Sequence, residues 1–209
     1  LSIAMTNSGP CLAFPAMVWD AKSQRLIVAS GETLVEGREV GTHRVEVNIK
    51  AELDAANDSV RWYPDWAGSS REKDWISNAR DWCISRQRYW GTPLPIWRCS
   101  CGNVKVVSSV EDLRSGSGYV EGMDVHRPWI DKVTFQCDKC KQTMSRTPDV
   151  LDVWFDAGVC SWASLGYPER EDEFKRWWPS EWVTEAHDQT RGWFYSQLVT
   201  GVVAFGKAP

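Results

Sequence analysis

The chain has no long apolar run, little histidine and no excess of positive charge, and each shortage removes a class of function. No stretch approaches the ~20 apolar residues that a membrane span needs. The first residues carry neither the basic segment nor the small-residue cleavage site of a secretory signal. Net charge is −4, so the global positive field of a non-specific nucleic-acid binder is missing and any such contact must be local. Basic residues do gather at Arg80, Arg86 and Arg88, a grouping that a solvated helix face also explains. The three histidines, His43, His126 and His187, stand apart, with no Ser or Cys nucleophile at a triad spacing. Neither common type of Gly-rich phosphate loop occurs, and there is no internal repeat or low-complexity tract.

What is present suits one ordinary domain or two small ones with a real core: 209 residues, 43% hydrophobic and 25% charged. Tryptophan is abundant, at 14 residues; most are expected in core packing, where each buried indole N–H needs a partner. The seven cysteines are an odd number in a chain that is not small, which argues against a secreted disulfide scaffold. Four of them form two close pairs, Cys99-Ser100-Cys101-Gly102 and Cys137-Asp138-Lys139-Cys140, separated by 35 residues. Two tight turns that each present two sulfurs to one point suit a tetrahedral Zn²⁺ in a reducing compartment, so the protein is expected to be cytoplasmic. C-x-C is a tighter first knuckle than C-x2-C, and four unrelated thiols are the competing reading. A four-sulfur site would be structural, because no coordination position stays open, and it would give residues 99–147 a core they could not otherwise assemble. Cys11, Cys83 and Cys160 read as ordinary buried cysteines.

Along the chain, residues 1–41 read as short β segments, Leu12 to Val18 and Arg25 to Ala29 among them. The pattern turns helical from Val45 to Ala56, ending near Asn57-Asp58. A second helix is expected from about Arg71 to Arg86, with Ser70 as its N-cap and Trp75, Ala79 and Trp82 on one face. Leu94 to Trp97 is a strand candidate placed at a sheet edge by Pro93 and Pro95. Ser109 should cap a short helix over Val110 to Arg114. Val150 to Phe155 reads as a buried strand and Glu181 to Glu185 as another, running through Ala186-His187-Asp188 into a helix from Gln189 to about Phe205. Strand, polar turn, helix is an α/β pattern.

That turn carries the chemistry. In open α/β sheets, ligands bind beyond the carboxyl ends of strands, near helix N-termini. Glu185 could accept from a ribose hydroxyl or an amino group, and Asp188 or Gln189 could bond polar edges of a ligand beside backbone N–H groups that favour phosphate. Asp188 as a plain helix cap explains the same residue equally well. Trp154 and Trp193 could wall an apolar pocket, although core packing accounts for each without a ligand.

Three stretches together resemble class I aminoacyl-tRNA synthetases of the isoleucine, valine and leucine group. They are Asn78-Ala79-Arg80-Asp81-Trp82-Cys83-Ile84-Ser85-Arg86-Gln87-Arg88-Tyr89-Trp90-Gly91-Thr92-Pro93, then Pro148-Asp149-Val150-Leu151-Asp152-Val153-Trp154-Phe155-Asp156, then His187-Asp188-Gln189-Thr190-Arg191-Gly192-Trp193-Phe194. Val153-Trp154-Phe155-Asp156 looks most like the isoleucine members, and Val159 to Pro168 like their archaeal and eukaryote-like branch. The resemblance covers about residues 42–209.

It implies an α/β chain forming part of a Rossmann-type catalytic domain. Residues 1–98 would be the base of the connective insertion and a return helix, 99–147 a zinc-binding subdomain, and 148–209 part of the second catalytic half. It also implies a monomer that acts on isoleucine, ATP with magnesium, and tRNA(Ile). Glu185, Asp188 and Gln189 would meet the adenylate, with Trp154 and Trp193 walling the isoleucine side chain, and no residue of the chain is assigned as a chemical catalyst. Ala186 stands where the family usually has Gly, and Ala157 where it usually has Ser. The two ATP-binding signatures of the family, one rich in His and Gly and one in Lys and Ser, are expected outside this stretch, so the piece alone should be inactive. The Thr-rich editing signature is not seen in residues 1–41, as if the editing module were cut out. A valine-specific relative, or a non-catalytic zinc module that packs on tRNA or protein, are the readings that compete.

Overall fold

The computed structural model describes residues 49–80 and 82–209, together with the backbone of four short strands in 17–47. These strands pair antiparallel in two hairpin-like ladders: β1 (Met17–Asp20) with β2 (Arg25–Val28), and β3 (Gly37–Glu39) with β4 (Val45–Val47). The strand expected at Arg25 is therefore present. The rest of the Leu12 segment, the editing signature and Cys11 lie outside the described residues. The chain divides into two compact units, Leu1–Ile84 with Val153–Pro209, and Ser85–Asp152.

In the first unit, α1 runs over Lys50–Ser59. The helix expected from Val45 begins later, because Val45–Val47 are taken up by the ladder with β3. Leu53 and Ala56 of α1 pack with Ile76, Leu198, Val199 and Val202 in one apolar cluster. The next helical stretch opens as a π-helical turn, Ala67–Glu72, and continues as α2, Lys73–Ser77. It starts before the Ser70 cap and stops well short of Arg86. Asn78 ends it: its side-chain amide bonds the Asp74 carbonyl at 2.9 Å, competing with the backbone for the last turn. Gly68 has a definite task in the π turn. A Cβ there would lie 2.0 Å from the Trp62 ring, so the indole lies directly on the backbone. The Trp62 N–H donates to Asn57 Oδ1 at 3.0 Å, and Asn57 in turn donates to the Gly68 carbonyl.

The longest helix is α7, Trp193–Phe205, buried from Ser196 to Val202 and closed by Gly206 in the left-handed conformation. Against it lies α4, Val153–Gly158. The Val150–Phe155 run is thus part strand and part helix, not one strand. Contact is closest at Gly158, where a Cβ would stand 2.8 Å from the Ser196 carbonyl oxygen, and Thr200 Oγ1 donates to the Gly158 carbonyl at 2.7 Å. Two further helices follow α4, namely α5 (Cys160–Ala163) and α6 (Glu171–Trp177). They frame an aromatic cluster in which Phe174 stacks on Trp178, and Trp178 and Trp162 both meet Phe205 at 4.5 and 5.1 Å. The Trp178 N–H is satisfied by Ser161 Oγ. The tryptophan surplus is spent partly here, on core packing. Residues 182–186 adopt no regular element, so the expected Glu181 strand is not formed: no described strand lies alongside to supply its hydrogen bonds.

The second unit is built on a four-stranded antiparallel sheet of order β7-β6-β9-β8, from β6 (Ile96–Arg98), β7 (Val104–Val106), β8 (Phe135–Gln136) and β9 (Thr143–Arg146). The predicted edge strand is in fact interior, since β6 pairs on both sides; Pro93 and Pro95 precede it and take no ladder donor away. Ser109 caps α3, Val110–Arg114, as expected, accepting from the Asp112 N–H. Trp97 is the centre of the core, edge-on to Phe135 at 5.1 Å, with its N–H on the Val133 carbonyl. Buried Arg146 donates to Asp131 at 2.7 Å and to the carbonyls of Leu94 and Asp149, which offset part of its desolvation; burial still holds the guanidinium below its ordinary range. At the base of the unit, β5 (Ser85–Arg86) pairs with β10 (Val150–Leu151), and Arg86 forms an ion pair with Asp152. Arg86 is accordingly a structural partner and not part of a solvated helix face.

Glu72, the last residue of the π turn, is fully buried and, among the described residues, neither of its oxygens has a hydrogen-bond partner. Desolvation pushes its carboxyl from 4.5 up to about 8. Burial likewise pushes nearby Tyr195 up to about 12, with the Glu72 charge adding to the effect. Between pH 4.5 and about 8 the folded chain keeps a proton that the unfolded chain has released, so stability falls as pH rises through that window and levels off above it. Glu72→Gln is expected to flatten this dependence; a urea-midpoint series from pH 5 to 9 that stays parallel to the parent chain would contradict it.

Candidate functional site

Four of the residues singled out in the sequence, Trp154, Asp188, Gln189 and Trp193, come together at the start of α7. A 3₁₀ turn, His187–Arg191, precedes it, tied by Gln189 N–H to the Ala186 carbonyl at 3.0 Å and by the buried Thr190 hydroxyl to the His187 carbonyl at 2.8 Å. The expected helix from Gln189 is therefore a tight turn first and an α-helix only from Trp193. The helix N-terminus is capped by Gln189, whose Oε1 accepts the Trp193 N–H at 2.8 Å; Asp188 instead accepts from Gln189 Nε2 at 3.1 Å. Asp188 is thus not the cap, and its exposed carboxylate keeps lone pairs for another donor.

Gly192 forms the floor of this corner. A Cβ on it would lie 2.7 Å from Gln189 Oε1 and 3.3 Å from the Trp154 ring, so Trp154 of α4 and Gln189 both approach the same backbone. The Trp193 indole N–H reaches across to the Ala157 carbonyl at 3.0 Å, joining α7 to α4. Trp154, Gln189, Gly192 and Trp193 are consequently neighbours, with Asp188 attached through Gln189. Trp154 is 44% exposed, a large indole face left open to solvent. Glu185 is exposed in the segment before the turn and is not among these contacts. Ala186 sits at φ −72° and ψ 156°, extended backbone that demands no glycine. Nothing in the sequence marks Gly192 or Thr190 as essential to this geometry; only their place inside a quoted motif could have drawn attention to them.

The second cluster belongs to the sheet unit. Cys99, Cys101, Cys137 and Cys140 bring their sulfurs within 4.8 Å of one another, with Cys99–Cys140 at 3.2 Å and Cys101–Cys137 at 3.6 Å. Zn–S bonds of about 2.3 Å in a tetrahedron put sulfurs about 3.8 Å apart, so the set has the right dimensions. Both pairs sit on tight turns. Gly102 N–H bonds the Cys99 carbonyl at 3.0 Å with Gly102 at φ +85°, and Lys141 N–H bonds the Cys137 carbonyl at 2.9 Å with Lys141 at φ +63°. The C-x-C knuckle therefore reaches the common point as well as C-x2-C does. Backbone N–H groups, that of Cys140 foremost, hold the Cys137 thiol down to about 6, while the neighbouring thiols and burial push Cys140 up to about 12, so without a metal the set shares its protons unevenly. Cys83 and Cys160 lie outside the cluster.

A family model described as tRNA synthetases class I (I, L, M and V) matches residues 43–209. The chain belongs to the class I tRNA synthetase family. It is 60% identical over 208 residues to an isoleucine–tRNA ligase of Methanothrix thermoacetophila, covering 99% of this chain and 19% of that protein. An isoleucine–tRNA ligase of Archaeoglobus fulgidus is 57% identical over 162 residues, 77% of this chain and 15% of its own length. Among solved structures, a LeuRS–tRNA–LeuAMS ternary complex of Agrobacterium radiobacter is 26% identical over 59% of this chain and 17% of that one, with a TM-score of 0.39. The chain spans 15–19% of the length of these two ligases. No helix among the described residues is long and apolar enough to cross a membrane.

Within this synthetase chain, the tightness at Gly192 makes a direct prediction. Gly192→Ala should push Gln189 away and break its bond to the Trp193 N–H, while the fold persists. Hydrogen exchange at that amide is expected to accelerate at least tenfold, roughly the loss of one hydrogen bond of ~1.4 kcal/mol. Unchanged protection would show that the corner yields without cost.

Proposed function

We propose that this chain supplies the adenylate corner and a zinc-stabilised insert of an isoleucine–tRNA ligase, which joins isoleucine to ATP and passes the aminoacyl group to the terminal ribose of tRNA(Ile). The supporting observation is the meeting of Trp154, Gln189 and Trp193 at Gly192, in a chain 60% identical to such a ligase. Residues 1–98 would form the base of the connective insertion and its return helix, 99–147 the zinc subdomain, and 148–209 part of a Rossmann-type catalytic half.

In this reading the carboxylate of isoleucine attacks the α-phosphorus of ATP and pyrophosphate leaves, with magnesium accompanying the nucleotide. Catalysis of that step is mainly positioning and charge stabilisation. Asp188 accepts hydrogen bonds from the adenylate, Gln189 fixes the turn that holds it, and Glu185 closes the same side. The open face of Trp154 and the ring of Trp193 enclose the aliphatic side chain. Such a pocket separates isoleucine from valine by only ~1–3 kcal/mol per methylene, a bound that isoleucine-specific synthetases themselves illustrate. Zinc would be held by Cys99, Cys101, Cys137 and Cys140, and would lock the two knuckles without entering the chemistry.

Two measurements check this. In a synthetase made of this chain and the remaining length of its relatives, Asp188→Ala should abolish isoleucine-dependent ATP–pyrophosphate exchange, and exchange at the parent rate would reject the site. The purified chain should carry about one zinc, lost in Cys137→Ser together with a lower melting temperature; a folded chain free of zinc would reject the metal assignment.

A further inference from the structure

The His187–Arg191 turn has contacts at both of its ends that its own hydrogen bonds do not explain. At the first residue, the Trp66 ring meets the His187 ring edge-on at 5.6 Å. At the last, the Arg191 guanidinium stands 3.6 Å from Asp74 Oδ2 and 5.3 Å from the centre of the Trp75 ring. Just beyond, Trp62 meets Phe194 at 5.6 Å and Trp75 meets Tyr195 at 5.9 Å, both edge-on. All four partner residues on the opposite side, Trp62, Trp66, Asp74 and Trp75, come from α2 and the residues leading into the π-helical turn before it. A π-helical turn is rare and clusters at functional sites. Here it is held in place by the Gly68–Trp62–Asn57 contacts.

We propose that the π turn and α2 form a bracket that sets the conformation of the His187–Arg191 turn, with Trp66 and Asp74 as positioning residues for Asp188 and Gln189. The inference rests on the adenylate reading above and adds to it a role for side chains that touch no ligand. Trp66 is 47% exposed and outside the buried core, and its ring meets His187 of the turn. An exposed indole held against a ligand-bearing loop restricts that loop before the ligand arrives, which lowers the ordering cost of binding. Asp74 works at the other end: its Oδ2 faces Arg191 while its Oδ1 accepts from Asn78, the residue that terminates α2. The end of the helix and the end of the turn are thereby tied to one carboxylate.

The test uses the assembled synthetase and three variants, Trp66→Ala, Trp66→Phe and Asp188→Ala. Trp66→Ala is expected to raise the KM for ATP in pyrophosphate exchange about three- to tenfold, the range that one edge-on aromatic pair represents, with a smaller change in kcat. The melting temperature of the 209-residue chain should stay within about 2 °C. Trp66→Phe, which keeps a ring edge for His187, should restore KM to within about twofold of the parent. A KM unmoved by Trp66→Ala, in an enzyme that Asp188→Ala inactivates, would overturn the bracket and leave the adenylate reading standing. Exchange that survives Asp188→Ala would remove that reading, and the bracket with it.

Discussion

The close approach of α4 to α7 is the constraint from which the candidate site follows. Only a glycine at 158 permits it, because the Ser196 carbonyl occupies the space a side chain would need. Thr200 then bonds back to the Gly158 carbonyl and Trp193 to the Ala157 carbonyl, so two adjacent peptide groups at the end of α4 are both claimed by α7. That crossing carries Trp154 onto Gly192, and so places an open indole beside the turn bearing Asp188 and Gln189. A wider helix separation would leave the same residues present but no longer neighbours.

Much of this was legible in the amino-acid order, but unevenly. The cap at Ser109 was readable because it depends on one local hydrogen bond. The cysteine cluster was readable because four thiols in two pairs have few other uses. The helix expected to reach Arg86 was misjudged, since the apolar spacing of Trp75, Ala79 and Trp82 continues past the point where Asn78 captures the last carbonyl. Ser85 and Arg86 then find strand partners 66 and 64 residues away, Leu151 and Val150, a contact that no local window reveals. Similarly, Val45–Val47 carries a helical period but a ladder with Gly37–Glu39 claims it. Long-range pairing outweighs local preference in each case.

The His187–Arg191 turn shows a different limit. Motif resemblance located Asp188, Gln189, Trp154 and Trp193, and the structure makes neighbours of them. It could not show that Gln189 caps α7 while Asp188 is released from that duty, nor that Gly192 is the shared floor, because these depend on side-chain geometry. The role of Glu185 is likewise a matter of the family pattern, since it lies exposed outside these contacts.

The second unit begins and ends in one short ladder, with Ser85 opposite Leu151 and Arg86 opposite Val150. Its entrance and exit are therefore a single doorway only one strand-spacing wide, sealed by the Arg86–Asp152 ion pair. Loops within such a unit can lengthen, shorten or change their metal chemistry without altering the separation of the two chain ends at its threshold. A protein lineage can thus remodel everything behind that doorway while the two chain ends at its threshold keep their spacing.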